Sequence, residues 1–322
     1  MTLKTNKGRV RTLKEKSIRK TIIKKISGSI PIQCYLLLGL PLIGFFLFTL
    51  YPILWAFAKS FFYYDQIPSH TIYVGFKNFI HIFTENSIYW KSWLTTLEFT
   101  FLKLPFEVVC TLVLAYLLSK KIKGASFIRG VYFMPTVISA VLCSVIFTNL
   151  FQYFGFFNDI FIKLGIISEP IDWFANKWSA MAVLVASSVW KNFGTNVLLF
   201  TAALTNVPNE VYEAADIDGA SAFRKFTSIT IPMIAPVFQT ILLLAINGTL
   251  HVGEFIVTMT NGAPGGATHT VGSYILTNYV PGFTSGTVDI GYGAAISIIT
   301  SIIYGLVAFG YNKISAKLQN VY

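Results

Sequence analysis

The stretch "YEAADIDGASAFRKF", residues 212–226, decides how the chain is read, because it is a polar, charged island between two of the most apolar runs of the sequence. Hydrophobic residues make up 54% of the 322 and charged residues only 12%, against about 25% charged in an ordinary soluble domain. Water is therefore excluded as the solvent for most of the chain. A helix needs about 18 to 20 apolar residues to cross a hydrocarbon layer about 30 Å thick. Six runs reach that length, at residues 34–58, 94–118, 130–151, 179–204, 231–256 and 290–311. Each is continuously apolar and does not alternate, and in lipid only helices and closed barrels satisfy the backbone. The expected fold is all-α: a polytopic membrane bundle of six transmembrane helices, the first kinked at Pro41 and Pro52.

Basic residues mark the cytoplasmic segments of such a bundle. Ten of the 25 Lys and Arg precede residue 26; Lys120, Lys121, Lys123, Arg129, Arg224, Lys225, Lys313 and Lys317 follow on the same side. The alternate segments hold Lys59, Lys77, Lys91, Lys163 and Lys177. Both termini are thus assigned to the cytoplasm, and the island with them. The net charge of +11 is a topological signal, and nucleic-acid binding is not expected. The organisation that follows is a basic segment 1–29, a transmembrane domain 30–312 with a loop at 205–230, and a tail 313–322. Within the basic segment, Leu13, Ile18, Ile22 and Ile26 share one helical stripe, which suits a helix lying on anionic lipid. A basic tail that only sets topology reads equally well.

Catalysis has no visible seat. Cys34, Cys110 and Cys143 lie in apolar runs without metal-ligand spacing and read as packing residues. There is no G-x-S-x-G, no H-E-x-x-H and no phosphate-binding G-x-x-x-x-G-K-[ST], so neither a metal, a bound cofactor nor ATP hydrolysis is expected of this chain.

The island has the grammar of a helix-turn-helix. Asn206 or Asn209 can cap a first helix, with Val211, Tyr212, Ala215 and Ile217 on its apolar side, and Gly219 sits where a left-handed turn ends it. A second short helix can start at Ser221, sending Phe223 and Phe226 one way and Arg224 and Lys225 elsewhere. Glu210, Glu213, Asp216 and Asp218 make the loop anionic on a face where topology favours cations. A basic pocket on another protein accounts for that; an amphipathic hairpin without a partner is the alternative.

The spacing Glu213-Ala214-Ala215, three residues, Gly219, nine residues, Ile229-x-Ile231-Pro232 resembles the EAA loop of permease subunits in binding-protein-dependent ATP-binding-cassette importers. Ile231 departs mildly from the usual I-x-L-P. "YVGFKNFIHIF" (73–83), "RGVYFMPTVISAV" (129–141), "TNGAPGGATHT" (260–270) and "GYGAAISIIT" (291–300) are similar to further segments of the carbohydrate-uptake branch, the maltose and glycerol-phosphate type. Ala263 stands where that branch often has glycine. The resemblance implies that Glu213, Ala214, Ala215, Asp218 and Gly219 belong to coupling helices that seat in an ATPase subunit. It also implies the partners: a second homologous permease subunit, two copies of the ATPase carrying ATP and Mg, and an extracytoplasmic solute-binding protein, all at a bacterial inner membrane.

Polar groups within spans usually face the bundle interior or an aqueous cavity. Ser188, Asn192 and Thr195 recur at i, i+4 and i+7 in the fourth run, with Trp190 and Lys191 near its outer half. Asn247, His251 and Glu254 repeat the pattern in the fifth. Both stripes carry chemistry that suits a sugar, and the resemblance places sugar contacts at Ser188, Asn192 and Thr195; interhelical hydrogen bonding is the bland alternative. In the second run, Lys103 and Glu107 are spaced to pair on one face, near Glu98. A buried structural pair is the favoured reading. An ion relay through Lys103, Glu107 and Glu254 would suit a self-sufficient secondary transporter instead.

Overall fold

In hydrocarbon a backbone satisfies its polar groups by coiling on itself, and the computed structural model, which describes residues 32–119, 124–284 and 286–319, is built almost wholly of helices. The basic segment 1–29, Lys120, Lys121, Lys123 and the last residues of the tail lie outside the described residues. Residues 32–58 form a unit of their own. In it, α1 (Ile32–Phe45) passes through a π-helical turn at Phe46–Leu50 into α2 (Tyr51–Lys59). The kink expected at the prolines takes this form: Pro52 has no N–H to give and its ring crowds the carbonyl four residues back, so the turn before it widens and Tyr51 N–H reaches Phe46 O. The same device recurs before Pro232, where Phe226–Thr230 is a π-turn closed by Ile231 N–H on Phe226 O.

The second unit holds the other described residues. A two-stranded ribbon pairs β1 (Phe62–Tyr63) antiparallel to β2 (Ile72–Tyr73), and α3 (Lys77–Thr84) follows. Next come α4 (Ser87–Ser119), α5 (Ala125–Val137), α6 (Ala140–Leu150), α7 (Phe156–Lys163) and α8 (Lys177–Thr205). The island supplies α9 (Asn209–Ile217) and α10 (Ala222–Lys225). The chain ends with α11 (Ile231–Leu250), α12 (Glu254–Met259), α13 (Val271–Tyr279) and α14 (Ile290–Gln319). α4, α8 and α11 share a core of Val108, Leu112, Val197, Phe200, Ile234 and Ile241. Outward, Phe101, Phe106 and Val109 of α4 are left exposed, as a lipid-facing stripe requires.

Of the six expected spans, Tyr35–Lys59, Ser87–Ser119, Ala222–Leu250 and Ile290–Lys317 are helices long and apolar enough to cross a membrane. The third run is not one straight helix. It breaks between α5 and α6 with a 100° bend, and counts as a fifth span only if the pair is taken together. Ile138 leaves the helix for extended backbone, and Ser139 restarts it by accepting Leu142 N–H at 3.2 Å. The fourth run lies on α8, whose 29 residues reach about 43 Å at 1.5 Å per residue. Its length suffices; its row of Ser188, Lys191, Asn192 and Asn196 is what dilutes its hydropathy. The fifth run also breaks, because α11 stops at Leu250 and α12 starts at Glu254.

Two other expectations are decided here. Lys103 and Glu107 do pair, Nζ to Oε2 at 3.1 Å with both side chains buried, whereas Glu98 turns to Lys177 at the start of α8, 2.5 Å away. Cys143 is buried but Cys110 is exposed, so of these two packing inside the chain describes only the former; the Cys34 side chain lies outside what the structure describes.

Candidate functional site

The break in α11–α12 frees backbone carbonyls that hydrocarbon cannot solvate, and the fold supplies a donor for each end. Tyr304 Oη of α14 donates to Leu250 O at 2.6 Å, and Thr270 Oγ1, which also caps α13, donates to Val252 O at 2.7 Å. Glycine lets the backbones meet: a Cβ on Gly253 would lie 3.0 Å from the carbonyl carbon of Gly272 and 2.9 Å from Leu276 Cδ1. The break therefore opens a cavity while the Leu250 and Val252 carbonyls keep donors.

That cavity is about 500 Å³ in volume. Ser188, Lys191 and Asn192 line it from α8, and His251 and Glu254 from the break. Sequence reasoning had put Asn247, His251 and Glu254 on one helical stripe; they are not, since the helix ends between them, yet two of them reach the same cavity as the α8 stripe. Thr195, Trp190 and Asn247 are not among the lining residues. Thr195 is exposed, Trp190 packs its ring 5.4 Å from that of Phe147, and Asn247 offers its backbone carbonyl to His251 Nδ1 at 2.9 Å.

The wall contributed by α14 was not anticipated from the sequence: Ser297, Ser301 and Tyr304, with Thr300 beside them. The signal was present, since these recur at i, i+4 and i+7 within the sixth run, the same spacing used to find the α8 stripe. Lys191 was noted but not assigned.

The hydrogen bonds of the lining groups fix what they can offer. Ser301 Oγ donates to Ser297 O and Ser297 Oγ to Gly293 O, both at 2.8 Å, while Asn192 Nδ2 donates to Ser188 O at 2.9 Å. These groups spend protons on their own helices and turn oxygen lone pairs outward. Lys191 supplies the donors, while His251, whose Nδ1–H is given to Asn247 O, keeps its second ring nitrogen as a further acceptor. With Tyr304 as the aromatic wall, its ring 4.7 Å from that of His251, the cavity suits a neutral, hydroxyl-rich solute better than an apolar one.

The island forms the expected hairpin. Gly219 has φ +70°, and the turn is a Schellman closure in which Ala220 N–H reaches Ala215 O at 2.9 Å and Gly219 N–H reaches Asp216 O at 3.1 Å. Ser221 caps α10 through Arg224 N–H at 3.3 Å, and Lys225 Nζ holds Asp216 Oδ1 at 2.5 Å. Glu213, Ala214 and Asp218 are exposed, while Ala215 is buried. Three details differ from expectation. Neither Asn206 nor Asn209 caps α9, because Pro208 takes the cap position and Asn206 closes α8. Ile217 is 87% exposed and so leaves the apolar side assigned to it. Phe223 and Phe226 diverge: the first is 76% exposed, and the second packs 4.7 Å from the ring of Tyr116.

A polytopic helical protein whose broken helices line a polar cavity, and whose α9–α10 hairpin presents carboxylates and bare apolar side chains, is by class a membrane transport component. The chain belongs to the family described as binding-protein-dependent transport system inner membrane component, whose model matches residues 107–319. It is 33% identical over 232 residues to the trehalose/maltose transport system permease protein MalF of Thermococcus litoralis, covering 72% of this chain and 76% of that one. It is also 33% identical over 281 residues to the arabinooligosaccharides transport system permease protein AraP of Bacillus subtilis, covering 86% of each. In fold it resembles a bacterial ABC transporter involved in the import of the acidic polysaccharide alginate, with a TM-score of 0.77 at 20% identity over 93% of this chain and 99% of that one. Family membership sets aside the self-sufficient secondary transporter.

Proposed function

We propose that this chain is the permease subunit of an ATP-driven importer that passes a sugar, an oligosaccharide or a related polyol handed over by an extracytoplasmic solute-binding protein. The observation that carries the reading is the cavity at the α11–α12 break, where hydroxyl, amide and charged groups of α8, the break and α14 converge. The names of the sugar-permease relatives support the same solute class.

In this reading six spans cross a bacterial inner membrane with both termini in the cytoplasm, α8 and the bent α5–α6 pair completing the set. A second homologous permease subunit completes the pathway, and two ATPase copies bind ATP and Mg. Glu213, Ala214, Ala215, Asp218 and Gly219 form the coupling surface, with Ile217 and Phe223 as its apolar contacts. ATP binding draws the ATPases together, the hairpins follow, and α8 and α11, continuous with either end of the hairpin, switch the cavity from one side of the membrane to the other. Hydrolysis resets it.

The test is solute-stimulated ATP hydrolysis by the reconstituted complex with its binding protein. Asn192→Leu removes the amide oxygen turned toward the cavity, and should raise half-saturation or change which sugars stimulate, with complex assembly intact. Unchanged stimulation for every accepted sugar would refute the site.

A further inference from the structure

Glu107 and Lys103 sit in the middle of α4 and touch more than each other. Asn196 Nδ2 of α8 donates to Glu107 Oε1 at 2.8 Å. Glu107 Oε2 lies 3.1 Å from Lys103 Nζ as an ion pair outside hydrogen-bond geometry, and Lys103 Nζ donates to Thr249 Oγ1 of α11 at 3.2 Å. Thr249 Oγ1 in turn donates to Ala245 O at 2.7 Å. All of these side chains are buried, Thr249 completely and Asn196 to within 6%, and none lines the solute cavity. Yet both ends of the chain stop one step short of it. Asn196 is one helical turn beyond Asn192, and Thr249 stands between the lining residues Gly248 and His251.

We propose that Lys103 and Glu107 are positioning residues that set the distance between the α8 and α11 walls of the cavity, and so govern solute affinity and selectivity without touching the solute. Adhesion does not explain the pair. The same three helices already share an apolar core, and a buried ion pair is on average no more stabilising than apolar side chains of its size. What it provides is a charged link: Asn196 of α8 is tied to the carboxylate and Thr249 of α11 to the ammonium, and drawing either charge away from its partner strands it in a buried site. Apolar packing loses little when the walls shift by a fraction of an ångström, whereas a buried charge drawn from its partner loses far more.

The inference rests on the import reading, and its test uses the complete complex of permeases, ATPase and binding protein in proteoliposomes. The probe is whichever of maltose, trehalose or an arabinooligosaccharide stimulates hydrolysis most. Thr249→Val keeps the shape but deletes the hydroxyl, Asn196→Leu deletes the amide, and Thr249→Ser keeps the hydroxyl. Losing one such buried bond should raise half-saturation about tenfold in the first two. ATPase association and unstimulated hydrolysis should stay at wild-type level, and Thr249→Ser should remain close to wild type. If the first two variants only assemble less complex, with half-saturation unchanged in what assembles, the pair is structural and the proposal fails. If Asn192→Leu shifts half-saturation while Thr249→Val does not, the cavity stands and the positioning role falls. If no sugar stimulates the wild type, the import reading fails and takes this role with it.

Discussion

Gly194 lies within one turn of Lys191 and Asn192, where α8 crosses α5. A Cβ at this position would stand 2.6 Å from Tyr132 O and from Thr136 Oγ1, and 2.8 Å from Phe133 Cα. Ordinary contact begins near 3.4 Å, so α5 would have to retreat by the difference, about 0.8 Å, against its own backbone. The retreat would also stretch the bond from Thr136 Oγ1 to Lys191 O, already 3.5 Å long. Overpacking of this kind costs about 1 to 3 kcal/mol, which corresponds to roughly 2 to 12 °C in the midpoint of a domain of 150–250 residues. Gly194→Ala should therefore lower the thermal midpoint of the detergent-purified complex and weaken solute stimulation. Gly248→Ala is the control, since a Cβ there meets nothing within 4 Å, and it should melt with the wild type. If Gly194→Ala melts with the wild type, or Gly248→Ala falls as far, close crossing is not the reason for glycine at 194.

The hairpin should be sensitive in a different way. Open space surrounds Gly219, so Gly219→Val carries only the left-handed backbone penalty, about 1 to 2 kcal/mol, and Gly219→Asn should be tolerated better; co-purification of the ATPase subunit reads both. Glu213→Ala should reduce that co-purification while membrane insertion, scored by surface labelling, stays normal. Burial holds the pKa of His269 below its ordinary 6.5, so the folded state binds fewer protons than the unfolded one. Its contribution is intact above pH 6.5 and is lost as pH falls below that value, and His269→Gln should flatten thermal stability between pH 7 and 5. A cysteine placed at Asp218 should react with impermeant thiol reagents from the cytoplasmic side alone, and labelling from outside intact cells would overturn the assigned topology.

How much the sequence discloses depends on how far away the deciding partner lies. Gly219 and Ser221 act through their own turn, and both were readable. Pro52 was readable as an irregularity of the first span, although not as a widened turn, whereas Pro41 lies within the unbroken α1. Ile217 and Phe223 were misassigned because amphipathic spacing says which side chains align, and not which side will be covered. The break in the fifth run could not be read at all. Residues 231–256 look continuous, and what stabilises the interruption is Thr270, 18 residues on from Val252, and Tyr304, 54 on from Leu250. The cavity followed suit: its α8 wall was legible as a stripe, but its other walls exist only once that break brings them together.

The hydrogen bond from Tyr304 to Leu250 also places events in time. Chains are made from the N-terminus, so Leu250 enters the membrane while Tyr304 is still to be translated. Through that interval its carbonyl has no donor, and an unmet group in hydrocarbon costs several kcal/mol. The segment carrying the break therefore lacks one of its partners when it first emerges. The hydrogen bond that closes the break forms only once α14 has arrived, so the last apolar segment completes the one before it.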